Sequence, residues 1–220
     1  VRAVWCDRRS PEPIHWADWW ARIARLSPPG LPGPVVPPQL PIAAQPRLVV
    51  PPAWHAEADA WLAGLGLAGR PLVLLQPGNK KTHRRGRVAT AYYDKHWPPE
   101  HWGAVIRAIL AEQPDAAVLV AGSPREAGLA QEVVDAAGPL PAGGRVVNLA
   151  RHDFTLPRLC AVAARALGMV SIDTGPAHVA AAMDCPLVVL YGSAGWGLWK
   201  PRAPQAEVRA LGTEQHTPGA

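Results

Sequence analysis

The chain has 220 residues, a formal net charge of +5 and 49% hydrophobic residues, which is enough for a packed core. It contains no run close to the roughly 20 apolar residues that a membrane span needs, and we see no signal peptide. The three cysteines, Cys6, Cys160 and Cys185, lack the spacing of a metal site or a disulfide framework. We therefore expect a cytoplasmic protein with reduced thiols.

The first part of the chain predicts one helix followed by a connector. Tryptophan and isoleucine side chains recur at helical spacing between Ile14 and Leu26, which predicts an amphipathic helix. Prolines interrupt the segment from Ser27 to Pro52, and this excludes a regular helix or a central strand. We assign residues 1–52 to a remnant of a preceding domain plus a proline-rich connector.

From residue 53 onward, short apolar runs alternate with longer helical patterns. The predicted strands are Pro71–Gln76, Ala116–Ala121, Val146–Leu149, Ala166–Val170 and Pro186–Tyr191. The predicted helices are Ala56–Leu65, Pro99–Glu112, Arg125–Ala137, Leu156–Arg165 and Val179–Met183. This alternation predicts an α/β fold: a Rossmann-like, mostly parallel sheet with helices on both faces. We assign residues 53–205 to this domain and residues 206–220 to a C-terminal tail.

The densest group of polar residues follows the strand predicted at 166–170. Asp173, Thr174, Gly175 and His178 lie close together there, directly before an alanine-rich helix. Thr174 is a suitable N-cap, and Pro176 falls in the first helical turn, where a missing N–H costs nothing. The free N–H groups of that turn and the helix dipole attract anions. The loop therefore predicts a phosphate site at the carboxyl edge of the sheet.

Three more loops follow predicted strands and are expected to open on the same edge, at residues 76–80, 122–126 and 149–154. Their small and charged residues predict a cleft for a phosphorylated, hydroxyl-rich ligand. The sequence has no P-loop, and it has no Gly-x-Gly-x-x-Gly fingerprint that follows a predicted strand and opens a helix, which argues against a P-loop nucleotidase and a nicotinamide dehydrogenase. Since it also lacks an Asp-x-Asp pair and a zinc-type His/Cys cluster, we expect no metal and no cofactor.

A dense basic cluster lies in the loop predicted after the first strand. It consists of Lys80, Lys81, Arg84, Arg85 and Arg87. Such a run is usually a solvated face, but this density favours attraction to substrate phosphates or to anionic lipid headgroups. Because we find no nucleic-acid recognition motif, nucleic acid is not an expected partner. We expect this basic loop to bind the acceptor or to steer the protein to a membrane surface.

Several motifs together resemble the ADP-heptose:lipopolysaccharide heptosyltransferases, which form glycosyltransferase family 9. Asp94–Trp102 is similar to the family's Lys-x-Trp-Pro-x-x-x-Trp element, and Ser171–His178 contains its Asp-Thr-Gly-x-x-His signature. Leu190–Ser193 and Trp199–Pro201 are similar to its closing Phe-Gly and Trp-x-Pro elements. The resemblance covers about Leu72 to Pro201.

The resemblance implies the C-terminal, donor-binding half of a GT-B fold, with the N-terminal domain largely missing from this chain. It implies that Lys95 neutralises the donor diphosphate and that Glu126 contacts the nucleoside. It further implies a set of residues along the diphosphate and the sugar, namely Asp173, Thr174, Gly175, Pro176 and His178. The family's catalytic base is an Asp of the N-terminal domain, so the sequence assigns no catalytic residue here.

The expected function is metal-independent transfer of a heptose, or a similar sugar, from ADP-heptose to a lipopolysaccharide core acceptor, with inversion. The expected partners are a nucleotide-sugar and a phosphorylated glycolipid, with peripheral contact to an anionic inner membrane. Two alternatives stay open. One is a non-catalytic or truncated module that binds a nucleotide-sugar, and the other is a different GT-B enzyme that uses a UDP-sugar.

Overall fold

The computed structural model describes residues 15–24, 45–79, 83–84, 87–88, 95–192 and 196–212. The helices are α1 (Trp16–Ala24), α2 (Pro52–Gly64), α3 (Pro99–Glu112), α4 (Ala127–Ala136), α5 (Leu156–Ala163) and α6 (Gly175–Ala182). The strands are β1 (Leu72–Gln76), β2 (His83–Arg84), β3 (Arg87–Val88), β4 (Ala117–Val120), β5 (Arg145–Asn148), β6 (Gly168–Ile172), β7 (Leu187–Leu190) and β8 (Val208–Leu211). Short 3₁₀ turns cover Pro124–Glu126 and Leu149–Arg151.

Six of these strands form one parallel sheet in the order β5-β4-β1-β6-β7-β8. The chain runs from β1 outward to β4 and β5, and then returns to place β6 on the other side of β1. The register pairs Gln76 at the end of β1 with Ser171 near the end of β6. The loops that follow these two strands therefore diverge from neighbouring points, which leaves a crevice where an open α/β sheet binds its ligand.

Helices cover both faces of the sheet, so its central strands are largely apolar. All residues of β1 and β4 are buried, as expected for strands with helices on both faces. On one face, Leu74 and Leu119 pack with residues of α2, α5 and α6. On the other face, Val118 packs with Trp102 of α3 and Val133 of α4. The predicted fold class is confirmed.

Helix α1 packs against the segment at 196–202. The Trp16 ring stacks on Trp199 with 4.7 Å between centroids. Arg202 donates to both carboxylate oxygens of Asp18, at 2.8 and 2.7 Å. His15 accepts from the Ala17 N–H at Nδ1, so its Nε2 carries the proton that it donates to the carbonyl of Lys200. The helix that we assigned to a remnant of a preceding domain is thus attached to the Rossmann-like domain.

The element boundaries differ from the prediction in a few places. Helix α2 begins at Pro52, four residues earlier than predicted, because proline is well tolerated in a first helical turn. The helix predicted from Arg125 starts as a 3₁₀ turn and becomes α-helical at Ala127. The largest difference is β8, which is one of the two edge strands of the sheet although we placed its residues in the C-terminal tail. Most of the loop that carries the basic cluster lies outside the described residues, apart from the short antiparallel pair β2–β3. Within the part of the chain that the structure describes, no helix is long and apolar enough to cross a membrane.

Candidate functional site

A cavity of about 610 Å³ opens at the crevice between β1 and β6. Its walls come from the four loops that we expected to share this edge, and that expectation is confirmed. The lining residues are Gln76, Asn79, Lys95, Gly122, Ser123, Glu126, Phe154, Asp173, Thr174, Gly175 and Pro176. Among the described residues, no group of three or more His, Cys, Asp or Glu side chains is arranged to hold a metal ion.

An ion pair crosses the cavity from the segment before α3 to the end of β6. The Lys95 ammonium group donates to the Asp173 carboxylate, and the two side chains are only 18% and 14% exposed. Limited exposure weakens screening by solvent, so the pair is a strong local electrostatic feature. An incoming anion would compete with Asp173 for the positive charge of Lys95. The two residues were assigned to one site from separate motifs, and the structure brings them into contact.

Glu126 presents one carboxylate oxygen that no described residue hydrogen-bonds. Its Oε2 accepts from the N–H and the hydroxyl of Ser123, both at 2.7 Å, which closes a capping box. Its Oε1 is buried and has no hydrogen-bond partner among the residues that the structure describes. A Cβ at Gly78 would lie 2.4 Å from this Oε1, so glycine is required for the carboxylate to hold its position. Since an unmade hydrogen bond of a buried charged group is costly, Oε1 is placed to accept one from a ligand.

The N-terminus of α6 forms another wall. Thr174 occupies the N-cap position, as predicted, but its side chain makes no capping hydrogen bond. The expectation that its hydroxyl caps the helix is therefore wrong. The space around the Gly175 Cα is open, so a ligand can approach the backbone closely. The positive end of the helix dipole and the Gly175 backbone face the cavity next to the Lys95–Asp173 pair.

His178 lies on α6 but does not line the cavity. It stays accessible to solvent, and the protein atoms packed around its ring lower its pKa from the ordinary histidine value. The negative charge of Asp173 acts in the opposite direction, and His15 adds to the lowering. The direction of this shift favours the neutral imidazole at pH 7.

The side chains of the basic loop lie outside the described part of the structure. The backbone of Arg84 pairs with that of Arg87 in the β2–β3 hairpin. The structure does not describe Lys80, Lys81 and Arg85. The prediction that this loop faces an acceptor or a membrane stays a prediction.

Five residues that line the cavity are absent from the predicted site, namely Gln76, Asn79, Gly122, Ser123 and Phe154. Phe154 is the only phenylalanine of the chain and follows a predicted strand, which was a usable signal. Gln76 ends the first strand as a fully buried polar residue, and its amide donates to the Gly78 carbonyl at 2.7 Å. Ser123 was visible only as part of a loop, because its role depends on the folded position of Glu126.

A family model matches most of the chain, and this match identifies its sequence family. The family model described as glycosyltransferase family 9 (heptosyltransferase) matches residues 38–219. The chain belongs to glycosyltransferase family 9. The family-9 resemblance that the motifs indicated is thereby confirmed.

Relatives of this family-9 chain include two proteins named lipopolysaccharide heptosyltransferase 1. It is 34% identical over 110 residues to lipopolysaccharide heptosyltransferase 1 of Escherichia coli K12, a match that covers 50% of this chain and 32% of the relative. The corresponding protein of Salmonella typhimurium is 32% identical over 110 residues, with the same coverage. The match thus spans about a third of the length of these relatives.

Solved structures show the same fold. A family-9 glycosyltransferase from Veillonella parvula aligns with a TM-score of 0.57 at 22% identity, over 75% of this chain and 42% of the other. ADP-heptose lipopolysaccharide heptosyltransferase II of Escherichia coli also aligns with a TM-score of 0.57, at 24% identity, over 78% of this chain and 46% of the other. The family-9 chain described here therefore spans less than half of either structure.

Proposed function

We propose that this chain forms the donor-binding half of a heptosyltransferase, which transfers a heptose from ADP-heptose to a lipopolysaccharide core acceptor. The names of the relatives, lipopolysaccharide heptosyltransferase 1 and ADP-heptose lipopolysaccharide heptosyltransferase II, support the substrate class. The observation that carries the proposal is the convergence of Glu126, Lys95 and the α6 N-terminus on one cavity. These groups match the hydroxyl groups and the diphosphate of a nucleotide-sugar.

The nucleoside end of the donor lies at Glu126 and Phe154 in this proposal. The unpartnered Oε1 of Glu126 accepts a hydrogen bond from a ribose hydroxyl. Among the described residues that line the cavity, Phe154 has the only aromatic side chain, and its ring gives the flat base an apolar surface. The gap beside Gly78 keeps the carboxylate in place for this contact.

The diphosphate lies between Lys95 and the start of α6. Lys95 donates to the phosphate oxygens, and the Gly175 backbone and the helix dipole add partial positive charge.

In the transfer step, the acceptor hydroxyl oxygen bonds to the anomeric carbon from the face opposite the diphosphate, and the bond from that carbon to the diphosphate breaks. The hydroxyl proton passes to a base outside this half, and ADP leaves. Negative charge grows on the leaving diphosphate, where Lys95 and α6 stabilise it, so we propose that no metal ion is needed.

Titration calorimetry tests the donor preference. ADP is expected to bind more tightly than UDP or GDP, with the same affinity in EDTA as in magnesium. Glu126→Gln is expected to weaken ADP binding, since it replaces the free acceptor oxygen or the anchored one by an N–H₂ group. The matched control is Glu132→Gln on the exposed side of α4, which leaves binding unchanged. A clear preference for UDP, or a strict need for magnesium, contradicts the proposal.

A second candidate is a module that binds a nucleotide-sugar without turning it over. It is favoured by the state of the two carboxylates in the cavity, because Asp173 is paired with Lys95 and Glu126 is held by Ser123. Lys95 neutralises Asp173, and the free Oε1 of Glu126 is buried at the proposed nucleoside end, so neither carboxylate is placed to act as a base on an acceptor hydroxyl. Incubation of the chain with the N-terminal half of a family-9 heptosyltransferase, ADP-heptose and a core acceptor separates the two functions. Release of ADP in this mixture supports the donor-binding half of an enzyme, whereas binding of the donor without release of ADP supports the module.

We further propose that the basic loop attracts the protein to an anionic membrane surface. Each basic residue near such a surface contributes about 1 kcal/mol, and the attraction fades beyond a Debye length of about 8 Å at physiological salt. Sedimentation with vesicles that contain anionic lipid should therefore fall sharply from low to physiological salt. Charge reversal at Arg84 and Arg85 should weaken it, while Arg145→Glu on the exposed edge strand serves as control. Vesicle binding that survives the loop reversals would show that the loop is only a solvated insertion.

A further inference from the structure

Phe154 is held in the cavity wall by a side chain from a distant helix. Trp61 of α2 stacks on the Phe154 ring with 5.8 Å between centroids and 19° between planes. The indole Nε1 of Trp61 also donates to the carbonyl of His152 at 3.1 Å. One side chain thus contacts the loop at 152–154 both through its ring and through a directional hydrogen bond.

Arg158 adds a second connection between α2 and the same loop. Its guanidinium carbon lies 4.9 Å from the centre of the Trp61 ring. It donates to Glu57 of α2 at 2.9 and 2.5 Å, and to the backbone carbonyl of Asp153 at 2.6 Å. Asp153 has a φ of +49°, a left-handed conformation that is uncommon for a residue other than glycine. The contacts of Arg158 hold the chain in that conformation immediately before Phe154.

We propose that Trp61 is a positioning residue for the nucleotide base. Together with Glu57 and Arg158, it holds the loop at 152–154 in place, so the Phe154 ring already lies in the cavity wall before a ligand binds. Binding then avoids part of the entropy cost of ordering a loop and an aromatic side chain. Trp61 does not line the cavity, so it acts through Phe154. This inference rests on the function proposed above, because it needs a ligand that carries a flat base.

The test compares a ligand that has a base with one that has none. In Trp61→Leu, ADP should bind about threefold to tenfold more weakly than in the wild-type chain, the range expected for loss of an aromatic pair. Binding of inorganic pyrophosphate should not change, since Lys95 and α6 are untouched. Trp61→Phe keeps a ring but loses the Nε1 donor, and it should recover part of the ADP affinity. Trp54→Leu, at an exposed position on the same helix, is the matched control.

A double-variant cycle shows whether Trp61 acts through Phe154. In a Phe154→Ala background, Trp61→Leu should cause no further loss of ADP affinity. Equal losses for ADP and pyrophosphate would overturn the inference, since they would show a general loss of folded protein. Full additivity of the two substitutions would also overturn it.

Hydrogen exchange tests the same contacts without a ligand. The backbone amides at 152–155 should exchange faster in Trp61→Leu than in the wild-type chain or in Trp54→Leu. Unchanged exchange there would overturn the positioning role, whatever the chain binds. A wild-type chain that protects these amides but binds neither ADP nor pyrophosphate would instead contradict the proposed function.

Discussion

Removal of the positive charge at Lys95 should affect diphosphate binding in two ways. Lys95→Met keeps the aliphatic stem but takes away a charge-assisted hydrogen bond, which contributes about 1.5–3 kcal/mol. It also leaves the Asp173 carboxylate without its partner, at 14% exposure, inside the cavity where the diphosphate is proposed to bind. With an effective dielectric constant of about 20 and about 6 Å between charges, the added repulsion is about 3 kcal/mol. After screening by salt, we expect ADP to bind at least about a hundredfold more weakly.

The two contributions separate in a second variant. Asp173→Asn in the Lys95→Met background removes the repulsion but does not restore the lysine. ADP affinity should therefore rise again by at least about tenfold, so that the double variant binds more tightly than the single one. In a chain that keeps Lys95, Asp173→Asn should change ADP affinity less, because no unpaired negative charge faces the ligand in that chain.

Calorimetric titration with ADP and with adenosine measures both effects. Adenosine lacks the diphosphate, so its affinity should be the same in Lys95→Met and in the wild-type chain. Lys200→Met serves as the control for loss of one lysine charge, since Lys200 lies over the Trp196 ring and outside this cavity. The reasoning is refuted if ADP and adenosine lose affinity equally. It is also refuted if Asp173→Asn weakens the Lys95→Met chain further.

Three further expectations follow from individual contacts. Gly78→Ala should weaken ADP binding while changing the melting temperature little, because the new Cβ chiefly displaces the flexible end of Glu126, 2.4 Å away, whereas Leu129 Cδ2 at 3.1 Å has to move only slightly; unchanged titration curves would contradict this. Thr174→Ala should change the free energy of unfolding by less than about 0.5 kcal/mol in denaturant titration, since the threonine side chain makes no capping hydrogen bond. A loss of about 1 kcal/mol would instead show that the hydroxyl caps the helix. Burial lowers the pKa of His15 from 6.5, so the unfolded chain binds more protons near that pH. Stability should therefore fall as the pH drops below about 6.5, and His15→Gln should flatten this dependence in melting curves at pH 7.5 and 5.5.

The fold was largely predictable because its signals are local. Helix α3 has the predicted bounds, since Pro98 and Pro99 mark its start and an apolar stripe marks its length. The strands of the sheet centre are continuous apolar runs, which two covered faces require. Strand β8 has no such run: its residues alternate between half-buried and exposed, as at a sheet edge, so its composition resembles that of a tail.

The cavity was predictable where one loop carries several polar groups. In the Asp173 loop, several polar residues lie within six positions and together indicate a binding site. Lys95 is assigned to the same site by its family motif. By contrast, the contact of Trp61 with Phe154 joins residues 93 positions apart, and the sequence around either residue gives no indication of it. The failure of Thr174 as a cap is of the same kind. Its residue type suits the position, but the side-chain rotamer depends on neighbours that only the folded chain supplies.

The adjacency of β1 and β6 has a consequence for folding cooperativity. Gln76 and Lys95 come from the first half of the Rossmann-like domain, whereas Asp173 and Gly175 come from the second. A ligand that spans the cavity therefore couples two βαβ halves that are linked otherwise by strand pairing and core packing. At a concentration one hundred times its Kd, such a ligand adds about 2.7 kcal/mol to the free energy of unfolding. Because opening of either half releases the ligand, occupancy of the crevice makes partial opening less favourable by the same amount as unfolding of the whole domain.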